Sequence, residues 1–157
     1  MPMEIVAAKF KLTPGQKARR TAKWAITMTK WLMTRASKGT TWQVVGFFGP
    51  NGAESRGIVD LVAIRKDHRT PESPLKRGDL FEVILIQVKG GTAAWPDDED
   101  VQRLRIVAKK YHARSVLLAE WKRGHQPQFH RLKPTRRSGG RTGNCWEAVE
   151  NASELFD

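Results

Sequence analysis

The reading of this chain turns on RGIVDLVAIRKD at residues 56–67, HRTPESPLKRG at 68–78 and DLFEVILIQVKGG at 79–91. Two apolar, β-branched runs flank a segment rich in proline and charge, the pattern of two strands joined by a polar hairpin loop. Alternation puts Phe81, Val83, Leu85, Gln87 and Lys89 on one face of the second strand, and Ile84, Ile86 and Val88 on the other. Both faces stay apolar until the strand ends, which predicts a central strand covered on both sides. Asp60 breaks the first run, and Gln87 and Lys89 close the second. Paired as a hairpin, the strands bring a carboxylate next to an amide oxygen and an ammonium. Carboxylate and amide oxygens are hard ligands that suit a divalent cation. A lysine two residues along the same face can orient a water or offset charge developing on phosphorus.

Working outward, residues 13–37 read as a helix. Thr13 is the cap, Pro14 the first helical residue and Gly39 a C-terminal stop. Trp24, Met28, Trp31 and Leu32 recur at spacings of three and four and predict its buried face. Lys17, Arg19, Arg20, Lys23, Lys30, Arg35 and Lys38 crowd the remainder, and the helix carries no acid. Such a helix repels itself unless an anion lies near, which favours a nucleic-acid contact. Residues 41–48 read as a first strand, and the loop GPNGAESRG at 49–57 follows. Beyond the hairpin, Asp97 and Asp98 open a second helix whose stripe is Val101, Leu104, Ile106, Val107, Ala108 and Tyr111. Residues 115–121 predict a fourth strand and 128–132 a fifth. Residues 146–156 read as a short acidic amphipathic helix, docking on the domain or on a second subunit.

Asp60 followed across a hairpin by Gln87-Val88-Lys89 resembles the PD-(D/E)xK nuclease superfamily, with Gln in place of the second acid. Within it the chain is most similar to archaeal-type Holliday-junction resolvases and small VRR-NUC-type nucleases, over residues 13–121. The resemblance implies an α/β fold with a restriction-endonuclease-like αβββαβ core and a mixed central sheet flanked by helices. It implies a DNA endonuclease dependent on Mg²⁺ or Mn²⁺, with Asp60, Gln87 and Lys89 as catalytic residues and a homodimer making symmetric cuts. Members of this kind carry a metal-binding Glu on the first helix, and none stands there. Glu54, in the loop before Asp60, is the candidate replacement as a metal ligand and catalytic residue; Glu4 and Glu82 are alternatives. Glu82 alternates to the face opposite Gln87 and Lys89. The resemblance also gives Gln102, early in the second helix, a role in holding the substrate strand.

Charge agrees with a polyanionic partner. The 157 residues contain 28 Lys+Arg against 16 Asp+Glu, a formal net charge of +12, which attracts DNA. The candidate contacts are Lys17, Arg19, Arg20 and Lys23 in the first helix and Arg56 before the hairpin. A second basic region at 122–145 adds Lys122, Arg123, Arg136 and Arg137. Trp121 and Phe129 border that region, with packing against the sheet or stacking on unpaired bases as their two roles. No apolar run approaches a membrane span, and residues 1–12 lack a signal-peptide core, so a cytoplasmic protein is expected. Cys145 is the only cysteine, which excludes an intrachain disulfide and a cysteine-based zinc cluster. The length suits a single domain. Two further readings stay open: a nuclease-fold DNA-binding protein without catalysis, and a basic RNA-binding protein in which Asp60 and Lys89 are structural.

Overall fold

The computed structural model describes residues 11–37, 42–47, 56–134 and 145–157. The elements run α1 (Pro14–Ala36), β1 (Gln43–Gly46), β2 (Leu61–Lys66), β3 (Phe81–Gly90), α2 (Asp98–Lys110), β4 (Ser115–Trp121), β5 (Gln128–Leu132), β6 (Trp146–Val149) and α3 (Ser153–Phe156). The fold is α/β: a six-stranded mixed sheet in the order β1-β2-β3-β4-β5-β6, with three helices. Every neighbouring pair is antiparallel except β3 and β4, whose parallel step needs a crossover, and α2 supplies it. The expected hairpin is present: Leu61 pairs with Ile86 and Lys66 with Phe81.

The two faces of β3 meet two separate cores. Ile84 and Ile86 join Met33 of α1, Leu61, Ala63, Leu117, Ala119 and Phe129, with Leu155 and Phe156 of α3. Leu85 joins Val101 and Leu104 of α2, Val116, Leu118 and Trp146. A strand covered on both sides can be apolar on both, and β3 is. Trp121 and Phe129 are buried, at 8% and 2% exposure, so both pack against the sheet and neither is open to stack on a base.

α1 starts as its sequence predicts. Thr13 and Gln16 form a reciprocal capping box, and Pro14 occupies the first turn. Its buried face differs from the expected one. Ala25, Thr29 and Met33 face the sheet, whereas Trp24 and Trp31 are 47% and 42% exposed. The cause is close approach. A Cβ on Gly90 would lie 3.0 Å from Ala25 Cβ and 3.2 Å from the Thr21 carbonyl oxygen, so only small side chains fit along that line. Bulky indoles there would lift the helix off the sheet. Thr29 is accommodated because its hydroxyl donates to the Ala25 carbonyl at 2.7 Å.

Two further expectations are corrected. Ile106 and Tyr111 are 60% and 63% exposed, leaving Val101 and Leu104 as the buried residues of α2. Ile106 lies about 140° round the helix from Val101 at 100° per residue, off the sheet-facing side. Residues 146–156 are not one helix: Trp146–Val149 is β6, and only Ser153–Phe156 is helical. Trp146 packs in the α2 core and Val149 in the α1 core. Positions three apart share a helix face but take opposite faces of a strand, and here both faces are covered. The short helix α3 docks on the domain itself, Phe156 lying edge-on to Phe129 and Trp42 and accepting a hydrogen bond from Trp42 Nε1 at 2.8 Å. No helix among the described residues is long and apolar enough to cross a membrane.

Candidate functional site

Asp60 stands just before β2, one residue beyond the last pair of the hairpin register, Leu61 with Ile86. Asp60 is held there from both sides. Its N–H donates to the Ile86 carbonyl at 3.0 Å, and its carbonyl accepts from Phe47 N–H at 3.2 Å. Its Oδ2 accepts the Val88 N–H at 2.8 Å, which fixes the carboxylate against the β3 backbone. Gln87 is 6% exposed, and its Oε1 is buried with no hydrogen-bond partner. An orphaned buried carbonyl oxygen costs about 1–3 kcal/mol; Trp121 Nε1, His130 Nε2 and Trp146 Nε1 are buried without a hydrogen-bond partner as well. Lys89 follows on the same face, half-buried, and makes no ion pair among the described residues.

The parallel register adds residues that sequence reasoning missed. Lys89 pairs with Glu120 of β4, and Leu118 pairs with His130 of β5. Glu120 is bound by Lys122 at 3.0 Å and faces His130 Nε2 at 3.7 Å. Burial pushes the His130 imidazole below its usual pKa, outweighing the opposing pull of Glu120, so the ring is neutral at neutral pH. Trp95, in the chain between β3 and α2, packs edge-on against that ring at 4.6 Å. A lone acid inside the apolar run SVLLAEW was the available signal for Glu120, the same signal that marks Asp60. Its register to Lys89 depends on the crossover, which no local pattern encodes.

The basic candidates divide. The close contact of Thr21 with Gly90 and Gly91 brings the first half of α1, with exposed Lys17, Arg19, Arg20 and Lys23, to the Lys89 end of the sheet. Because β3 and β4 are parallel, exposed Lys122 and Arg123 leave the sheet at that same end. Arg56 is exposed, four residues before Asp60, and Gln102 is exposed on α2. Glu54, Glu4, Arg136 and Arg137 lie outside the described residues. Glu82, the alternative acid, stands at the opposite end of β3, where Arg65 holds it at 2.6 Å and Arg114 at 3.5 Å. It is therefore removed from Asp60 and committed to structure.

Among the described residues no group of three or more His, Cys, Asp or Glu side chains is placed to hold a metal ion. The oxygen donors on either side of the Asp60–Val88 bond are the Asp60 carboxylate itself and Gln87 Oε1, on the residue before Val88. Carboxylate and amide oxygens are the hard ligand type that Mg²⁺ takes. Cys145 is half-buried beside the α2 core, with no disulfide. No family model matches the chain, and no curated protein or solved structure shows significant similarity to it.

Proposed function

We propose that the chain is a metal-dependent DNA endonuclease with a restriction-endonuclease-like core. The observation that carries this reading is the buried, unpartnered Gln87 Oε1 on the residue preceding Val88, whose N–H holds the Asp60 carboxylate, with Lys89 following on the same face as Gln87. Two features support it. The order α1-β1-β2-β3-α2-β4, with an antiparallel β1-β2-β3 meander and a parallel step to β4, is what the resemblance to PD-(D/E)xK nucleases implies. The cations of α1 and of the β4 end also gather at the end of the sheet that carries Lys89.

In this reading Asp60 and Gln87 hold Mg²⁺ or Mn²⁺, with Glu54 as a further ligand. A metal bound there would supply acidification of a water and neutralisation of charge on the phosphate oxygens. The chain's own residues do the rest. The Val88 N–H orients the Asp60 carboxylate. Lys89 donates to the attacking water or to a non-bridging phosphate oxygen, offsetting charge as the bond from water to phosphorus forms and the bond from phosphorus to the leaving strand's oxygen breaks, that oxygen taking its proton from solvent. Lys17, Arg20, Lys122 and Arg123 grip the backbone without reading sequence, so affinity falls steeply with salt. A homodimer would place two such sites on a symmetric substrate.

The test is cleavage of supercoiled plasmid and of a synthetic four-way junction with Mg²⁺, Mn²⁺ or EDTA. Cutting that needs metal and is lost in both Asp60→Asn and Lys89→Ala is expected. Cutting that persists in EDTA, or in both variants, overturns the assignment. A second reading, a nuclease-fold nucleic-acid-binding protein without catalysis, is favoured by one observation: α1 contains no acidic residue to complete the site. That protein would bind DNA yet show no Asp60-dependent Mn²⁺ site by calorimetry.

A further inference from the structure

Trp24 and Trp31 stand exposed on α1, outside both cores. Seven residues apart, they fall on one line of the helix, about 10 Å from each other along its axis. At 100° per residue the same line carries Lys17, Arg20 and Arg35. The Arg35 guanidinium already lies over the Trp31 ring, 4.9 Å from its centroid. Helix α1 contains no acid, and the exposed positions flanking the indoles are Lys23, Thr27 and Thr34. The helix is thus anchored by Ala25, Thr29 and Met33 while a flank of cations and indoles is left open.

We propose that this flank of α1 binds single-stranded nucleic acid, with bases stacked on Trp24 and Trp31 and phosphates passing Lys17, Arg20 and Arg35. Unpaired bases offer π faces that stack on aromatic side chains without regard to sequence, and the cations track the backbone. A blunt duplex seals its bases away and offers phosphates alone. A second copy of this chain is a poor occupant, since two such flanks set cation against cation in either orientation. A bilayer surface asks for a broad apolar face, and here lysine and threonine interrupt it. Trp24 is one turn from Thr21, which touches the strand carrying Lys89. The inference rests on the nucleic-acid part of the proposed function and adds the substrate class: a nucleic acid with unpaired bases.

The experiment measures binding of a labelled oligothymidylate of about a dozen nucleotides, a blunt duplex of the same length, and phosphatidylserine vesicles. The proteins are wild type, Trp24→Ala/Trp31→Ala and, as a control at an exposed aromatic at the end of α2, Tyr111→Ala. Wild type is expected to prefer the single strand at least about tenfold, and the double tryptophan variant to lose about a hundredfold on it alone, tenfold per indole. Indole fluorescence quenched by the oligonucleotide should shrink in the same variant, while Tyr111→Ala binds as wild type does. Equal affinity for both nucleic acids, unchanged binding by the double variant, or an effect on vesicles alone overturns the inference. Selective binding without any cleavage keeps the platform and removes the nuclease. Cleavage with unselective binding does the reverse.

Discussion

The two ends of β3 carry similar residues in opposite states. At Phe81–Glu82 the charges are matched: Glu82 faces Arg65 at 2.6 Å, Arg114 at 3.5 Å and Arg69 at 3.8 Å. Arg65 also stacks over Trp42 at 4.2 Å and donates to the Asp157 carbonyl at 2.9 Å. Asp67 is gripped by Arg69, which holds its carboxyl down to about 2. These residues line a cavity of about 470 Å³ whose groups already serve one another. About 16 Å away along the strand, Gln87 keeps a buried oxygen without a partner, and Lys89 has no ion pair among the described residues. Polar groups that satisfy each other stabilise a fold, and a buried oxygen without a partner costs stability.

The largest expected contrast is between Lys89→Ala and Glu82→Gln. The first should cut cleavage about a thousandfold and leave the melting temperature nearly unchanged. The second should leave activity of the folded protein intact but strand the Arg65 guanidinium, costing about 3 kcal/mol and about 10 °C in melting temperature. Thermal melts beside plasmid assays read both, and reversed outcomes would abolish the distinction between the ends. Next is Gly90→Ala. Its methyl would meet Ala25 Cβ at 3.0 Å, so α1 must shift. A loss of about 1–3 kcal/mol in urea unfolding is expected, with single-strand binding weakened as well.

Gln87→Leu sharpens the comparison from the other side. Removing an unpartnered buried oxygen should raise stability by about 1 kcal/mol while abolishing any protection of the fold by Mn²⁺. Destabilisation would mean that Gln87 is structural. The smallest effect is the pH response, and it separates the ends by window. His130 has a folded pKa below its usual 6.5, so the unfolded chain binds the proton first and stability falls as pH drops below about 6.5. Asp67 is shifted down from 3.8, so its contribution persists above that value and is lost only as pH falls towards about 2. Melting curves of His130→Phe should be flatter near pH 6, and those of Asp67→Asn should differ only in acid.

Local chemistry made much of this legible. The capping box at Thr13, the acidic first turn of α2 and the Pro-rich loop at 68–78 are decided by neighbours in sequence, and each element formed where its signal stands. Residues 146–156 misled because Trp146 and Val149, three apart, satisfy a helix face and two opposite strand faces equally well. Only the open edge of β5 favours the strand.

By itself the sequence determined the hairpin, because a period of two and a turn set that register within one stretch of chain. It also determined the excess of positive charge. Tertiary structure alone decided that Glu120 stands beside Lys89, since a parallel pair takes its register from a crossover helix packing on the sheet. It alone decided that Ala25 goes in and Trp24 out. A helix with apolar residues on more than one side is rotated by what its neighbour leaves room for, and at Gly90 that is a methyl group.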